Sequence, residues 1–185
     1  QTIVIRCDLY PGSGAGHLKR CSVLAEALTK LGYSSVFALD AESGPLPVDL
    51  SFPIERLSGP FDEGLDAKAV ETLAQRHGAQ VILGDSYRIS KAWVAALRSA
   101  GLIVVVMDDL GIGGDASLRI DYSPMPKHLE GAAPGLLGSV YFITDSPRLP
   151  AHSAPPKRMI AHAGGTGNFS AAAEVYAAAA RVAKV

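Results

Sequence analysis

The chain has 185 residues and a mass of 19.3 kDa, with 17 basic against 18 acidic side chains and a formal net charge of −1. That balance argues against a dedicated nucleic-acid binder, which carries a basic surplus on one face. The apolar run from Ala100 to Met107 is far short of the ~18 residues a membrane span needs. A composition of 48 % hydrophobic and 19 % charged residues excludes disorder. The length suits one domain with a real core and is short for two. Nineteen glycines and twelve prolines announce many tight connections.

The predicted elements alternate strand and helix. Residues 3–7 read as a buried strand, followed by the Gly-rich loop Asp8-Leu9-Tyr10-Pro11-Gly12-Ser13-Gly14-Ala15-Gly16. A helix over 17–31 places Leu18, Cys21, Leu24, Ala25 and Leu28 on one face and ends at Gly32. Strands follow over 35–39 and 54–57, then a helix over 65–77 closed by Gly78. Residues 80–83 form a strand, Gly84-Asp85-Ser86-Tyr87 a loop, and 90–99 a helix with Trp93 and Leu97 inward. The strand over 102–107 is almost wholly apolar, which marks a sheet covered on both faces. Further strands are expected over 117–122 and 140–144. Repeated βαβ units imply a Rossmann-like parallel sheet with helices on both faces.

Beyond residue 145 the composition changes. Residues 146–156 hold four prolines and read as an interdomain linker. Residues 157–185 then supply one strand, the loop His162-Ala163-Gly164-Gly165-Thr166-Gly167-Asn168 and an Ala-rich helix. The expectation is one complete half-domain, 1–145, a linker, and the first βα unit of a second half.

Two cysteines, Cys7 and Cys21, are too few for a disulfide framework and lack metal-ligand spacing. They point to buried thiols, a reduced cytoplasmic setting and no metal or other cofactor. The N-terminus enters a strand without a secretory signal, and Gln at position 1 suggests numbering that starts within a reading frame.

Three motifs carry chemistry. Gly12-Ser13-Gly14-Ala15-Gly16-His17 sits between a strand and a helix, where glycines let a ligand approach the backbone and helix N–H groups favour negative charge. Its spacing is not the dinucleotide fingerprint G-x-G-x-x-G. His17 on its rim fits a general base working near neutral pH, or a helix-capping residue. Asp85-Ser86-Tyr87 ends a parallel strand, where open α/β sheets bind ligands, or else caps the next helix. Asp108-Asp109 holds the equivalent place one strand on. That pair could bind a sugar hydroxyl, orient a histidine, hold Mg²⁺ or cap the loop through Gly111-Ile112-Gly113-Gly114. Gly164-Gly165-Thr166 at the last helix suits a diphosphate cradle, and the missing P-loop lysine argues against ATP or GTP hydrolysis.

Ile5-Arg6-Cys7-Asp8 with Gly14-Ala15-Gly16-His17-Leu18-Lys19-Arg20-Cys21 resembles the I-R-x-D … G-x-G-H-x-x-R-C signature of the PseG-like UDP-sugar hydrolases. Asp85-Ser86-Tyr87, the run Val104-Val105-Val106-Met107-Asp108-Asp109, Leu137-Gly138-Ser139-Val140-Tyr141 and Gly164-Gly165-Thr166 are similar to further segments of that family, in the same order. The resemblance implies the N-terminal half of a GT-B fold, whose active site lies between two Rossmann-like halves and whose nucleotide is held mainly by the second. It implies His17 as the base that activates water and Tyr87 as a second catalytic residue. Asp8, Gly14, Ala15, Gly16, Arg20, Asp85 and Asp109 would bind substrate, and Gly164, Gly165 and Thr166 the diphosphate of a UDP-sugar. The expected activity is hydrolysis of a UDP-sugar, releasing UDP and an amino- or acetamido-deoxy sugar. The alternatives are a GT-B glycosyltransferase with His17 acting on an acceptor hydroxyl, and a non-catalytic sugar-nucleotide binding module.

Overall fold

A computed structural model describes residues 1–46, 49–124, 126 and 134–145. Its elements in chain order are β1 (Thr2–Cys7), α1 (Gly16–Lys30), β2 (Ser34–Leu39), β3 (Ile54–Arg56), α2 (Glu63–Arg76), β4 (Val81–Asp85), α3 (Lys91–Ser99), β5 (Ile103–Met107), β6 (Leu118–Asp121) and β7 (Gly135–Leu137). The strands form one sheet in the order β3-β2-β1-β4-β5-β6-β7, and every pairing is parallel.

The two-residue period of a strand sorts the side chains onto two cores. On one face Ile3, Ile5 and Cys7 of β1 and Leu83 of β4 join Leu18, Cys21 and Ala25 of α1. On the other, Val4 and Ile82 join Ala67, Val70, Leu73 and Ala74 of α2 and Trp93, Val94 and Leu97 of α3. Helices therefore cover both faces, as the alternating pattern predicts. Burying a Leu, Ile or Val side chain is worth about 1.5–3 kcal/mol, so these facing rows hold the layers together. Trp93 is fully enclosed.

Local chemistry sets the helix ends. Asp62 accepts a hydrogen bond from the Leu65 N–H (2.9 Å) and starts α2 two residues earlier than hydrophobic spacing alone suggests. Ser90 does the same for α3 through the Ala92 N–H (3.1 Å). The glycines marked by the sequence as helix ends, Gly32, Gly78 and Gly101, have φ of +86°, +60° and +82°.

Two expectations are corrected. Residues 84 and 85 belong to β4 rather than to a loop, pairing through Gly84 with Arg6 and Val106. A Cβ at Gly84 would come within 2.9 Å of Ile89 Cδ1 and 3.2 Å of the Trp93 ring, so the glycine is there for space within a strand. Residues 140–144 are not a strand. The last strand among the described residues is β7, and Gly138 then leaves the sheet at φ +103° into a 3₁₀ turn, Ser139–Tyr141. Val140 and Phe142 are exposed, so their apolar character reflects no sheet face. The segment 146–156 and the unit 157–185 lie outside the described residues. No described helix is long and apolar enough to cross a membrane.

Candidate active site

Open parallel sheets bind ligands outside the carboxyl ends of their strands, where strand order reverses. Here the chain runs outward from β1 to β2 and β3, then returns to β4 on the other side of β1. The loops after β1 and β4 therefore flank one crevice, tied together where the Asp8 N–H donates to the Asp85 carbonyl (3.1 Å). Gly12 and Gly14 turn the first loop with φ of +94° and +74°. Gly16 opens α1 behind Ala15, with no side-chain cap and no acidic residue in the first turn, and a Cβ at Gly16 would meet nothing within 4 Å. The start of α1 thus presents bare backbone N–H groups.

His17 lies one residue into that helix and is 7 % exposed. Its Nε2 is 3.9 Å from Asp85 Oδ1, beyond hydrogen-bond length. Its ring stands edge-on to Tyr87, centroids 4.9 Å apart at 71°. Nδ1 is buried and has no hydrogen-bond partner among the described residues. Burial holds the imidazole below its ordinary pKa of 6.5, with Arg20 pushing the same way and Asp85, Asp8 and Asp109 opposing. The ring is therefore neutral at neutral pH.

Beneath it, Asp85 is wholly buried at the end of β4. The Arg20 guanidinium grips both of its oxygens, Nε at 2.5 Å and Nη2 closer still, and also donates to the Tyr122 hydroxyl. Burial works against the Arg20 charge, but Asp85 outweighs it and raises the pKa further above the usual range. Cys21 donates its thiol proton to Asp85 (3.3 Å). Its hydrogen bond with Cys7, burial and the Asp85 charge push that thiol well up, so it is a proton donor and not a nucleophile.

At the mouth, Tyr87 is half exposed and donates its hydroxyl to Asp109 (3.3 Å). Burial and Asp109 raise the phenol pKa, which keeps its proton in place. The paired aspartates divide their work. Asp108 accepts from the N–H groups of Gly111 (2.6 Å), Ile112 (2.9 Å) and Gly113 (2.8 Å) and so closes its own loop, while Asp109 accepts from the Tyr87 hydroxyl.

The structure thus gathers His17, Arg20, Asp85, Tyr87 and Asp109 with the Gly14-Ala15-Gly16 turn. Asp8 is fully buried, its oxygens taken by the Tyr87 N–H (3.2 Å) and by Arg88 (2.8 Å). Gly164, Gly165 and Thr166 lie outside the described residues. Among the described residues no group of three or more His, Cys, Asp or Glu is arranged to hold a metal.

Sequence reasoning missed Asp40, Asp66, Arg88 and Tyr122, and passed over Arg6 as a mere signature letter. Arg6 is completely buried, paired with Asp66 (2.8 Å) and Asp40 (2.9 Å), and Trp93 Nε1 donates to Asp66 (2.9 Å). The available signal was position: Asp40 and Tyr122 follow the carboxyl ends of β2 and β6 as Asp8 follows β1.

No family model and no curated protein sequence matches this chain. Among solved structures it is similar to MurG from Acinetobacter baumannii, at 13 % identity and a TM-score of 0.53, over 72 % of this chain and 44 % of that one. A weaker likeness is to the Streptomyces sp. SF2575 glycosyltransferase SsfS6, at 14 % identity and a TM-score of 0.49, over 66 % of this chain and 50 % of that one. The chain spans about half the length of these structures. The likeness is one of fold, and with the parallel sheet and its two helical layers it defines a GT-B-like Rossmann architecture.

Proposed function

We propose that this chain provides the acceptor-side half of an enzyme acting on nucleotide sugars, in which His17 removes a proton from the hydroxyl that attacks the anomeric carbon. The observation that carries this reading is the His17 imidazole: neutral, enclosed, and with a ring nitrogen that no described residue satisfies. A buried polar atom left without a partner costs about 1–3 kcal/mol, and a base awaiting its substrate proton is a role that accounts for keeping it.

Residues 1–145 form this half, and residues 157–185, through Gly164, Gly165 and Thr166, belong to the nucleotide side. An acceptor hydroxyl enters at the crevice and gives its proton to His17 as its oxygen bonds to C1. The bond from C1 to the diphosphate oxygen breaks, and the nucleoside diphosphate leaves with that electron pair. Asp85 stabilises the imidazolium formed, since opposite charge at this range favours the protonated ring. Tyr87 and Asp109 hydrogen-bond sugar hydroxyls at the mouth. Glycosyl transfer is the leading form, because a GT-B-like half with a neutral base beside the loops after β1 and β4 suits an acceptor hydroxyl. Hydrolysis, with water in place of the acceptor, is the second form, supported by the I-R-x-D … G-x-G-H-x-x-R-C signature around His17.

The test incubates the protein in its natural full length with a panel of UDP- and dTDP-sugars and follows diphosphate release, with and without hydroxyl acceptors. Release that requires an acceptor means transfer, and release in water alone means hydrolysis. His17→Ala should lower either by about 10²–10⁴-fold, the usual worth of a general base. No release under any condition, or full activity in His17→Ala, overturns the reading.

A further inference from the structure

We infer that Arg88 is a positioning residue that clamps the loop after β1 to the loop after β4 and thereby sets Tyr87 against His17. Arg88 Nε and Nη2 donate to Asp8 Oδ1 (3.3 and 2.8 Å), and Nη2 also donates to Asp40 Oδ1 (2.5 Å). The guanidinium lies between two aromatic rings, 4.1 Å from the Tyr10 centroid and 4.2 Å from that of Phe61. One side chain on the β4–α3 loop thus holds segments that follow β1, follow β2 and precede α2. A planar fork with aromatic stacking on its faces is what arginine offers and lysine does not.

The partner that matters most is Asp8. Its Oδ1 receives Arg88 and its Oδ2 receives the Tyr87 N–H (3.2 Å), so it fixes two consecutive residues of the β4–α3 loop. The Tyr87 peptide then cannot move away from β1, and its ring is held edge-on to the His17 imidazole at 4.9 Å. Asp109 fixes the other end of the tyrosine through its hydroxyl. The enclosure of His17 therefore depends on Arg88, which does not touch it.

A purely structural role fits less well. Asp40 already has a wholly buried counter-charge in Arg6 at 2.9 Å, and Arg6 also lies 4.0 Å from Asp8. The Arg88 side chain is 23 % exposed. Removing it leaves the buried core of the network intact and releases its outer edge, which is the edge carrying Tyr87.

This inference rests on the proposed function only for its effect on turnover, so the primary readout uses no substrate. The experiment follows the His17 imidazole by NMR pH titration in wild type, Arg88→Lys and Arg88→Ala, with His17→Gln assigning the signal among the five histidines. The charged and titratable groups facing His17 are Asp85 and Tyr87 from β4 and its loop, Arg20 from α1, Asp8 from beyond β1, and Asp109 from beyond β5. Loosening Tyr87 lets water reach the ring, and removing the Arg88 charge frees Asp8 to act on it. Both raise its titration point. The expected result is an upward shift in each variant, larger in Arg88→Ala. The shift in Arg88→Lys isolates the clamp, since the charge is kept. Where nucleotide-sugar turnover is measurable, kcat should fall by about 10²-fold, as a roughly 1 Å misplacement can cause. Folded Arg88→Lys protein titrating with wild type overturns the inference, whether or not Arg88→Ala folds. A shifted titration in a protein that turns over no nucleotide sugar sinks the proposed function and leaves the clamp standing.

Discussion

Two charged clusters sit on either side of β1, each built around an Arg–Asp pair. On the α2 face, Arg6, Asp40 and Asp66 form a closed set in which the arginine and both acids are paired and buried. On the α1 face, Asp85 and Arg20 are paired just as tightly, yet they lie next to a histidine whose Nδ1 has no partner among the described residues. The pleat causes the separation: Arg6 and Cys7 are neighbours in sequence and face opposite layers. Buried charge alone does not mark a functional site. A closed network specifies a packing arrangement, whereas a buried ring nitrogen with no partner among the described residues is left over for chemistry.

Substitutions in the two clusters should have opposite effects. His17→Ala should cut turnover by about 10²–10⁴-fold while thermal stability holds, because it removes an atom that folding leaves unsatisfied. Arg6→Met should do the reverse, costing about 3–5 kcal/mol because buried Asp66 loses its counter-charge and Asp40 keeps only Arg88, as read by denaturant unfolding. An Arg6 variant with native stability would show that the α2-face network is not closed.

Trp93→Phe tests the same network more gently. It removes the indole donor from Asp66 while keeping an aromatic ring, and should cost about 1–3 kcal/mol. Gly84→Ala, which pushes a methyl toward Ile89 and Trp93, should cost about 1–3 kcal/mol through overpacking. Chemical denaturation measures both.

The smallest effect is the pH dependence of stability, and Asp40 and His17 share its sign, while burial raises the Asp66 pKa and works the other way. Burial works against the Asp40 charge, but Arg6, the Leu9 N–H and Arg88 outweigh it and hold its pKa below 3.8. Its contribution is present above the unfolded value and is lost as pH falls through the folded one. His17 also has a depressed folded pKa, so the unfolded chain takes up its proton first as pH falls below 6.5. Stability should therefore begin to decline below pH 6.5 in wild type, and that early part of the decline should vanish in His17→Gln. Thermal melts across the pH range measure this.

Much of the fold was legible because parallel strands buried on both faces read as apolar runs, and glycines punctuate the helix ends. The failures have local causes. Gly84 looked like a loop residue because no sequence pattern reports that Trp93 fills the space beside it. Residues 140–144 looked like a strand because three exposed apolar side chains imitate a buried one. In the site, His17, Asp85, Tyr87 and Asp109 were legible from their place after strands and beside glycines, and Arg20 only from the G-x-G-H-x-x-R-C resemblance. Arg88 was not, because its partners come from segments distant in sequence and nothing in the local string hints at stacking on Tyr10 and Phe61. The division of Asp108 from Asp109 was likewise invisible until the backbone N–H groups of residues 111–113 were placed.

The role of His17 as base is read from the pH profile of kcat/KM for diphosphate release from a nucleotide sugar, in wild type and His17→Ala. A neutral, buried imidazole acting as base predicts an ascending limb with its midpoint below 6.5 that disappears in the variant. A midpoint at or above 6.5, or the same limb persisting in His17→Ala, would contradict the account.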